Sequence, residues 1–134
     1  MTDHTDMFDV RVLIVEDEEP VRTAIARAVR KHHCDVVEAA DGISALHAIR
    51  QEKFGVVVLD LRLPGVSGKD VLNGLRELEG VPPVIVISAS RGDLQEIAGE
   101  SIVSMCIDKT FALKNLVEVA SIVAMTAKRA MGPA

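Results

Sequence analysis

Runs of basic residues are missing from this chain: none is longer than Lys128-Arg129, the formal net charge is −5 and the pI is near 5.3. Nothing in such a sequence can neutralise a row of phosphates, which argues against direct nucleic-acid binding. Cysteine is scarce too, with Cys34 and Cys106 in no paired spacing and a polar start, MTDHTDMFD, that carries no secretory signal. A disulfide scaffold is therefore not expected, and a reducing cytoplasm is the expected compartment. Long apolar runs are also lacking. The longest are strand-sized or interrupted, well short of the roughly 20 residues that cross a bilayer, so no membrane association is expected. No internal repeat or low-complexity segment occurs.

What is present is globular. The 134 residues are 49% hydrophobic and 26% charged, enough for one domain with a core of its own. Runs rich in branched residues alternate with segments of helical period: VRVLIVE, then 20–32, DVVEA, then 42–51, VVVLD, then 67–79, PVIVIS, then 92–99, IVSMCI, then 112–129. Five strand-helix units of this kind predict an α/β fold, a parallel sheet with helices on both faces joined by right-handed crossovers.

The first helix should bury Val21, Ile25, Ala28, Val29 and His32, with Pro20 at its start. Asp41 suits the N-cap of the second, which should bury Ala45, Leu46 and Ile49, and the third should bury Val71, Leu72, Leu75 and Leu78. The fourth, with Gly92 and Gly99 and only Leu94, Ile97 and Ala98 as anchors, is expected to be the loosest. The last reads as one helix with an inner stripe of Leu113, Leu116, Val117, Ala120 and Val123 and an outer apolar face of Val119, Ile122 and Met125 that wants a partner. These boundaries make residues 10–129 a single domain between tails 1–9 and 130–134, with Gly132-Pro133 leaving no linker to a second domain.

One stretch asks for explanation. VVVLDLRLPGVSG, residues 56–68, reads as a strand buried on both faces that ends in a carboxylate, Asp60. In open parallel sheets ligands bind at the carboxyl ends of the strands, and three acids belong there: Glu16 and Asp17 after the first strand, Asp60 after the third. Those strands neighbour one another in a doubly wound sheet. Converging carboxylates are costly unless they share a cation, and a hard divalent ion such as Mg²⁺ suits them. Ser88 and Lys109 end the fourth and fifth strands at the same edge, offering a hydroxyl and a compact cation. A carboxylate nucleophile, a metal, an ammonium and a hydroxyl are the parts that move a phosphoryl group onto an aspartate. Singly, each residue has a plain structural role as helix start, turn former or solvated charge. The combination does not.

LIVEDE, VVEAADGISAL, VVVLDLRLPGVSG, VIVISA and DKTF, in that order and spacing, resemble the receiver domain of two-component response regulators over nearly the whole chain. The resemblance implies a flavodoxin-like (βα)5 sandwich with strand order 2-1-3-4-5. It implies Asp60 as phosphoacceptor from a sensor histidine kinase or phosphotransfer protein. It also implies Mg²⁺ on Glu16, Asp17, Asp60 and the Arg62 backbone carbonyl, and Ser88, Ala89 and Lys109 around the phosphoryl group. Such a domain hydrolyses its own acyl phosphate and signals through its last two strand-helix units to an effector protein, a fused output domain or a second copy.

The sequence departs from the family at two places. Receivers usually carry Tyr or Phe three positions before the lysine, and here that position is Cys106; the chain has no Tyr or Trp, and its phenylalanines are Phe8, Phe54 and Phe111. An aromatic rotamer switch is therefore absent. Thr110 stands where a proline normally follows the lysine, which predicts a looser or differently shaped Lys109 loop. These departures motivate a rival reading, a degenerate receiver used as a phosphorylation-independent interaction module. Arg62 and Ser90, two residues beyond Asp60 and Ser88, are expected to set phosphate lifetime. Arg62 also argues against a phosphohydrolase, which needs a general acid at that position. The His32-His33-Cys34 run reads as a helix end rather than a metal site, and Cys106 as packing rather than a redox centre.

Overall fold

The computed structural model describes residues 10–131. Its elements alternate along the chain: β1 (Val10–Val15), α1 (Glu19–Arg30), β2 (Cys34–Ala39), α2 (Gly42–Gln51), β3 (Val56–Asp60), α3 (Gly68–Arg76), β4 (Val84–Ser88), α4 (Arg91–Ile97), β5 (Val103–Asp108), α5 (Lys109–Lys114) and α6 (Leu116–Met131). The strands form one parallel sheet in the order β2-β1-β3-β4-β5. This is the doubly wound α/β fold that the alternation predicts.

Alternation along buried strands builds two cores. Val12, Ile14, Val56, Val58, Ile85 and Ile87 face α1, α5 and α6, whereas Leu13, Val15, Val57, Leu59, Val84 and Val86 face α2, α3 and α4. Every residue of β3 and β4 is buried, which explains their unbroken apolar runs. β5 lies at the edge, so Ser104 and Met105 are exposed.

Helix starts follow side-chain chemistry. Asp41 accepts a hydrogen bond from the Ser44 N–H at 2.7 Å, as the N-cap reading of Asp41 requires. Ser67 caps α3 through a reciprocal box with Asp70, which sets its start at Gly68; the helix ends at Arg76 with Glu77 as C-cap, shorter than the expected 67–79. His33, at φ 59°, ends the first helical unit in the left-handed region.

Gly68 is where α3 meets the tip of β3. A Cβ there would stand 2.5 Å from the Leu61 Cα and 2.7 Å from the Asp60 carbonyl oxygen. Both obstacles are backbone, so Gly68→Ala is expected to destabilise the fold by about 2 kcal/mol in urea denaturation. An unchanged midpoint would show that β3 and α3 separate easily.

The last helix differs from its expected form. Asn115, at φ −132° and ψ 45°, interrupts it and leaves two helices, α5 and α6. The interruption shifts the helical phase. Val119 is buried at 1% exposure and Ile122 packs against the core, while Leu113 and Val117 face outward; of the expected outer face only Met125 is exposed. Ala98 is exposed as well, because α4 ends at Ile97. The segment after Lys109 is not a loose loop either, since Asp108 caps α5 by accepting the Phe111 N–H at 3.1 Å. The two terminal tails and Phe8 lie outside the described residues, apart from Ala130 and Met131, which belong to α6.

Candidate functional site

Four polar or charged residues are buried among the described residues: Glu16, Asp60, Ser88 and Lys109. All four are site residues expected from sequence, and all sit at the carboxyl ends of strands. Parallel register places them there, for Val15 pairs with Leu59, Asp60 with Ile87, and Ser88 with Asp108, immediately before Lys109.

Lys109 is the hub. Its Nζ lies 2.8 Å from Glu16 Oε1, 3.0 Å from Glu18 Oε1 and 3.1 Å from Asp60 Oδ2. Burial opposes the ammonium charge, but hydrogen bonds to Glu16, Glu18 and Asp60 outweigh it and hold the lysine above its ordinary range. Burial pushes Glu16 up to about 7; the Lys109 ammonium and the Glu18 N–H, at 3.1 Å from Glu16 Oε2, pull the other way. Asp60 Oδ1 accepts the Arg62 N–H at 3.0 Å, which fixes the plane of the carboxylate at the strand tip.

The carboxylates group somewhat differently from expectation. Oxygens of Glu16, Asp17 and Glu18 lie within 4.8 Å of one another, with Asp17 and Glu18 exposed. Asp60 is not one of that trio, but its carboxylate faces Glu16 directly and both meet the Lys109 ammonium. Sequence reasoning missed Glu18, although its place beside Asp17 in EDEE was a signal. It also missed Arg22, whose Nη1 donates to the Glu16 carbonyl at 2.9 Å and whose Nε meets Glu38 at 3.3 Å, tying the acidic loop to β2.

Ser88 Oγ accepts the Ser90 N–H at 3.0 Å, and Ala89 between them is exposed. The Arg62 side chain reaches away from Asp60 to Asp93, with Nε 2.9 Å from Oδ2. Cys106 is half-buried, its Sγ lies 3.9 Å from the Leu94 carbonyl, and burial raises its thiol, which suits packing rather than redox chemistry.

Comparison with known proteins agrees with this geometry. A family profile for the response regulator receiver domain matches residues 12–121. The chain is 40% identical over 88 residues to the sensory transduction protein RegX3 of Mycolicibacterium smegmatis, covering 66% of this chain and 38% of that protein. It is 32% identical over 114 residues to the transcriptional regulatory protein PrrA of Mycobacterium tuberculosis, covering 84% of this chain and 49% of PrrA. The match thus spans less than half the length of these relatives. Among solved structures, the receiver domain of the Francisella response regulator 1452 superposes with a TM-score of 0.73 at 27% identity, over 90% of this chain and 98% of that one. This chain belongs to the response regulator receiver domain family, the signal-receiving module of two-component systems. No helix among its described residues is long and apolar enough to cross a membrane.

Proposed function

We propose that Asp60 accepts a phosphoryl group from a phosphohistidine on a sensor kinase or phosphotransfer protein, and that residues 10–129 act in the cytoplasm as a phosphorylation-driven switch. The convergence of the four buried polar residues, Glu16, Asp60, Ser88 and Lys109, carries this reading. A domain keeps such groups buried when they are paired and used. A carboxylate oxygen of Asp60 forms the P–O bond as the P–N bond breaks, and the imidazole nitrogen leaves with the electron pair and is protonated by water. Lys109, already 3.1 Å from Asp60 Oδ2, pairs with the phosphoryl charge, and the Ser88 hydroxyl, beside Ala89, turns to donate to it.

The carboxylates fit a divalent ion, because a single ammonium faces Glu16, Glu18 and Asp60 while Asp17 adds another negative charge. Glu16, Asp17, Asp60 and the Arg62 carbonyl would hold Mg²⁺, which when bound neutralises charge on the phosphoryl oxygens. Structures of similar fold include TrrA of Thermotoga maritima with Mg(2+)-BeF and the Mn(2+)-bound form of Rcp1, at 22% and 21% identity. The same site would hydrolyse the acyl phosphate, with Arg62 setting its lifetime.

The output runs through the β4-α4 and β5-α5-α6 units to an effector, a fused output domain or a second copy. The exposed apolar side chains Phe111, Leu113, Val117 and Met125 replace the Val119, Ile122 and Met125 face as the candidate surface. Val117→Lys is expected to reduce concentration-dependent dimerisation in sedimentation without changing stability. An intact dimer would exclude this face.

Intact mass after incubation with Mg²⁺ and acetyl phosphate tests the central step. Wild type should gain one phosphoryl group and Asp60→Asn none. Equal labelling of both would move the acceptor to another residue, and labelling of neither would favour a constitutive interaction module.

A further inference from the structure

The seam between α4 and the segment that leads through α3 is ionic. Arg62 Nε lies 2.9 Å from Asp93 Oδ2, Lys69 Nζ lies 2.7 Å from Glu96 Oε1, and Arg76 pairs with Glu100. The cations at 62, 69 and 76 meet the acids at 93, 96 and 100 in order, so α4 and the turn that follows it are zipped along one edge. Apolar packing under the zip is sparse. α4 buries only Ile97, with Leu94 half-buried, and a cavity of about 160 Å³ bordered by Lys69, Leu72, Asn73, Ile97 and Glu100 lies between the helices. Exposed ion pairs are individually weak, so a helix that fully buries one side chain and is tied along one edge by such pairs is easily released.

The first pair of the zip belongs to the site. Arg62 donates its N–H to Asp60 Oδ1 while its guanidinium holds Asp93. The Asp93 N–H donates to Ser90 Oγ at 3.2 Å, and the Ser90 N–H donates to Ser88 Oγ at 3.0 Å. Asp60, Arg62, Asp93, Ser90 and Ser88 therefore form a continuous chain of contacts from the β3 tip through the start of α4 to the end of β4. The Arg62 side chain is 70% exposed and free to turn.

We propose that Arg62 reports modification of Asp60 to α4, its guanidinium exchanging the Asp93 carboxylate for phosphoryl oxygens and so opening the seam at its first pair. This rests on the reading of Asp60 as acceptor. A phosphoryl dianion two residues away outcompetes one partly exposed carboxylate, because guanidinium binds phosphate oxygens in a bidentate fork. Ser88 Oγ turns to the same group and leaves the Ser90 N–H, so both ends of the chain open together. Cys106 offers no ring to swing, and this route needs none. The response is a shift between two states of α4, biased by where Arg62 finds its anion.

Hydrogen exchange of the amides of residues 91–97 in the full chain tests this, with Mg²⁺ alone and with Mg²⁺ plus fluoroberyllate. Fluorine resonance reports occupancy of the mimic independently. In wild type the mimic should speed exchange about fivefold or more. In Arg62→Gln and Asp93→Asn exchange should already be fast, and the mimic, added to the concentration at which fluorine resonance shows full occupancy, should add no further change. An undiminished response in both variants would overturn the role of Arg62, as would protection of α4 by the mimic in wild type. Binding of the mimic equally to Asp60→Asn, or absence of binding to wild type, would overturn the acceptor reading and this inference with it.

Discussion

Lys109→Met is expected to lower stability by about 3 kcal/mol in urea denaturation and to uncouple any phosphoryl group on Asp60 from β5 and α5. The lysine supplies the ammonium that Glu16, Glu18 and Asp60 share, and Glu16 and Asp60 are buried at 2% and 3% exposure. Removing one partner of a buried charge cluster leaves the others uncompensated, which costs more than the cluster contributes. Methionine keeps the stem volume, so the loss reports charge rather than packing. Near-neutral stability would mean that water already solvates Glu16 and Asp60. With the mimic bound, the variant should keep the α4 response that Arg62 carries, while β5 and α5 lose the pull that the Lys109 ammonium exerts on the phosphoryl group.

Asp17→Asn is expected to lower Mg²⁺ affinity by about 30-fold, within the range seen when a group that supports a metal site is lost, and to slow phosphoryl transfer in step. Stability should not change by more than about 0.5 kcal/mol, because the Asp17 side chain is exposed. The two substitutions thus separate the site into halves. Lys109 is structural and chemical at once, whereas Asp17 is needed only when the ion arrives. Calorimetric titration with Mg²⁺ checks the affinity, and unchanged binding would move the ion away from Asp17 toward Glu16 and Glu18.

The sheet was legible because its strands are buried on both faces, so hydrophobic runs alone mark them, and parallel register then carries Glu16, Asp60, Ser88 and Lys109 to one edge. That edge could be read from the ends of the runs without any knowledge of side-chain contacts. The last helix was misread because Asn115 resets the helical phase, and a single break moves Val119 from the outer face to the core. Periodicity averages over such a break. Glu18 and Arg22 were missed for another reason. Their roles depend on what the sheet brings beside them, Lys109 from 91 residues away and Glu38 from the neighbouring strand. The seam from Arg62 to Asp93 is of the same kind, since no local pattern pairs residues 31 positions apart.

Borohydride trapping with peptide mapping addresses the central claim most directly. An aspartyl phosphate is reduced to homoserine, which marks the acceptor by its place in the chain. After incubation with Mg²⁺ and acetyl phosphate, homoserine at position 60 alone is the result expected here. Homoserine at Asp17 or another acid, or none under conditions where a control receiver is labelled, would contradict the assignment of Asp60 as the phosphoacceptor.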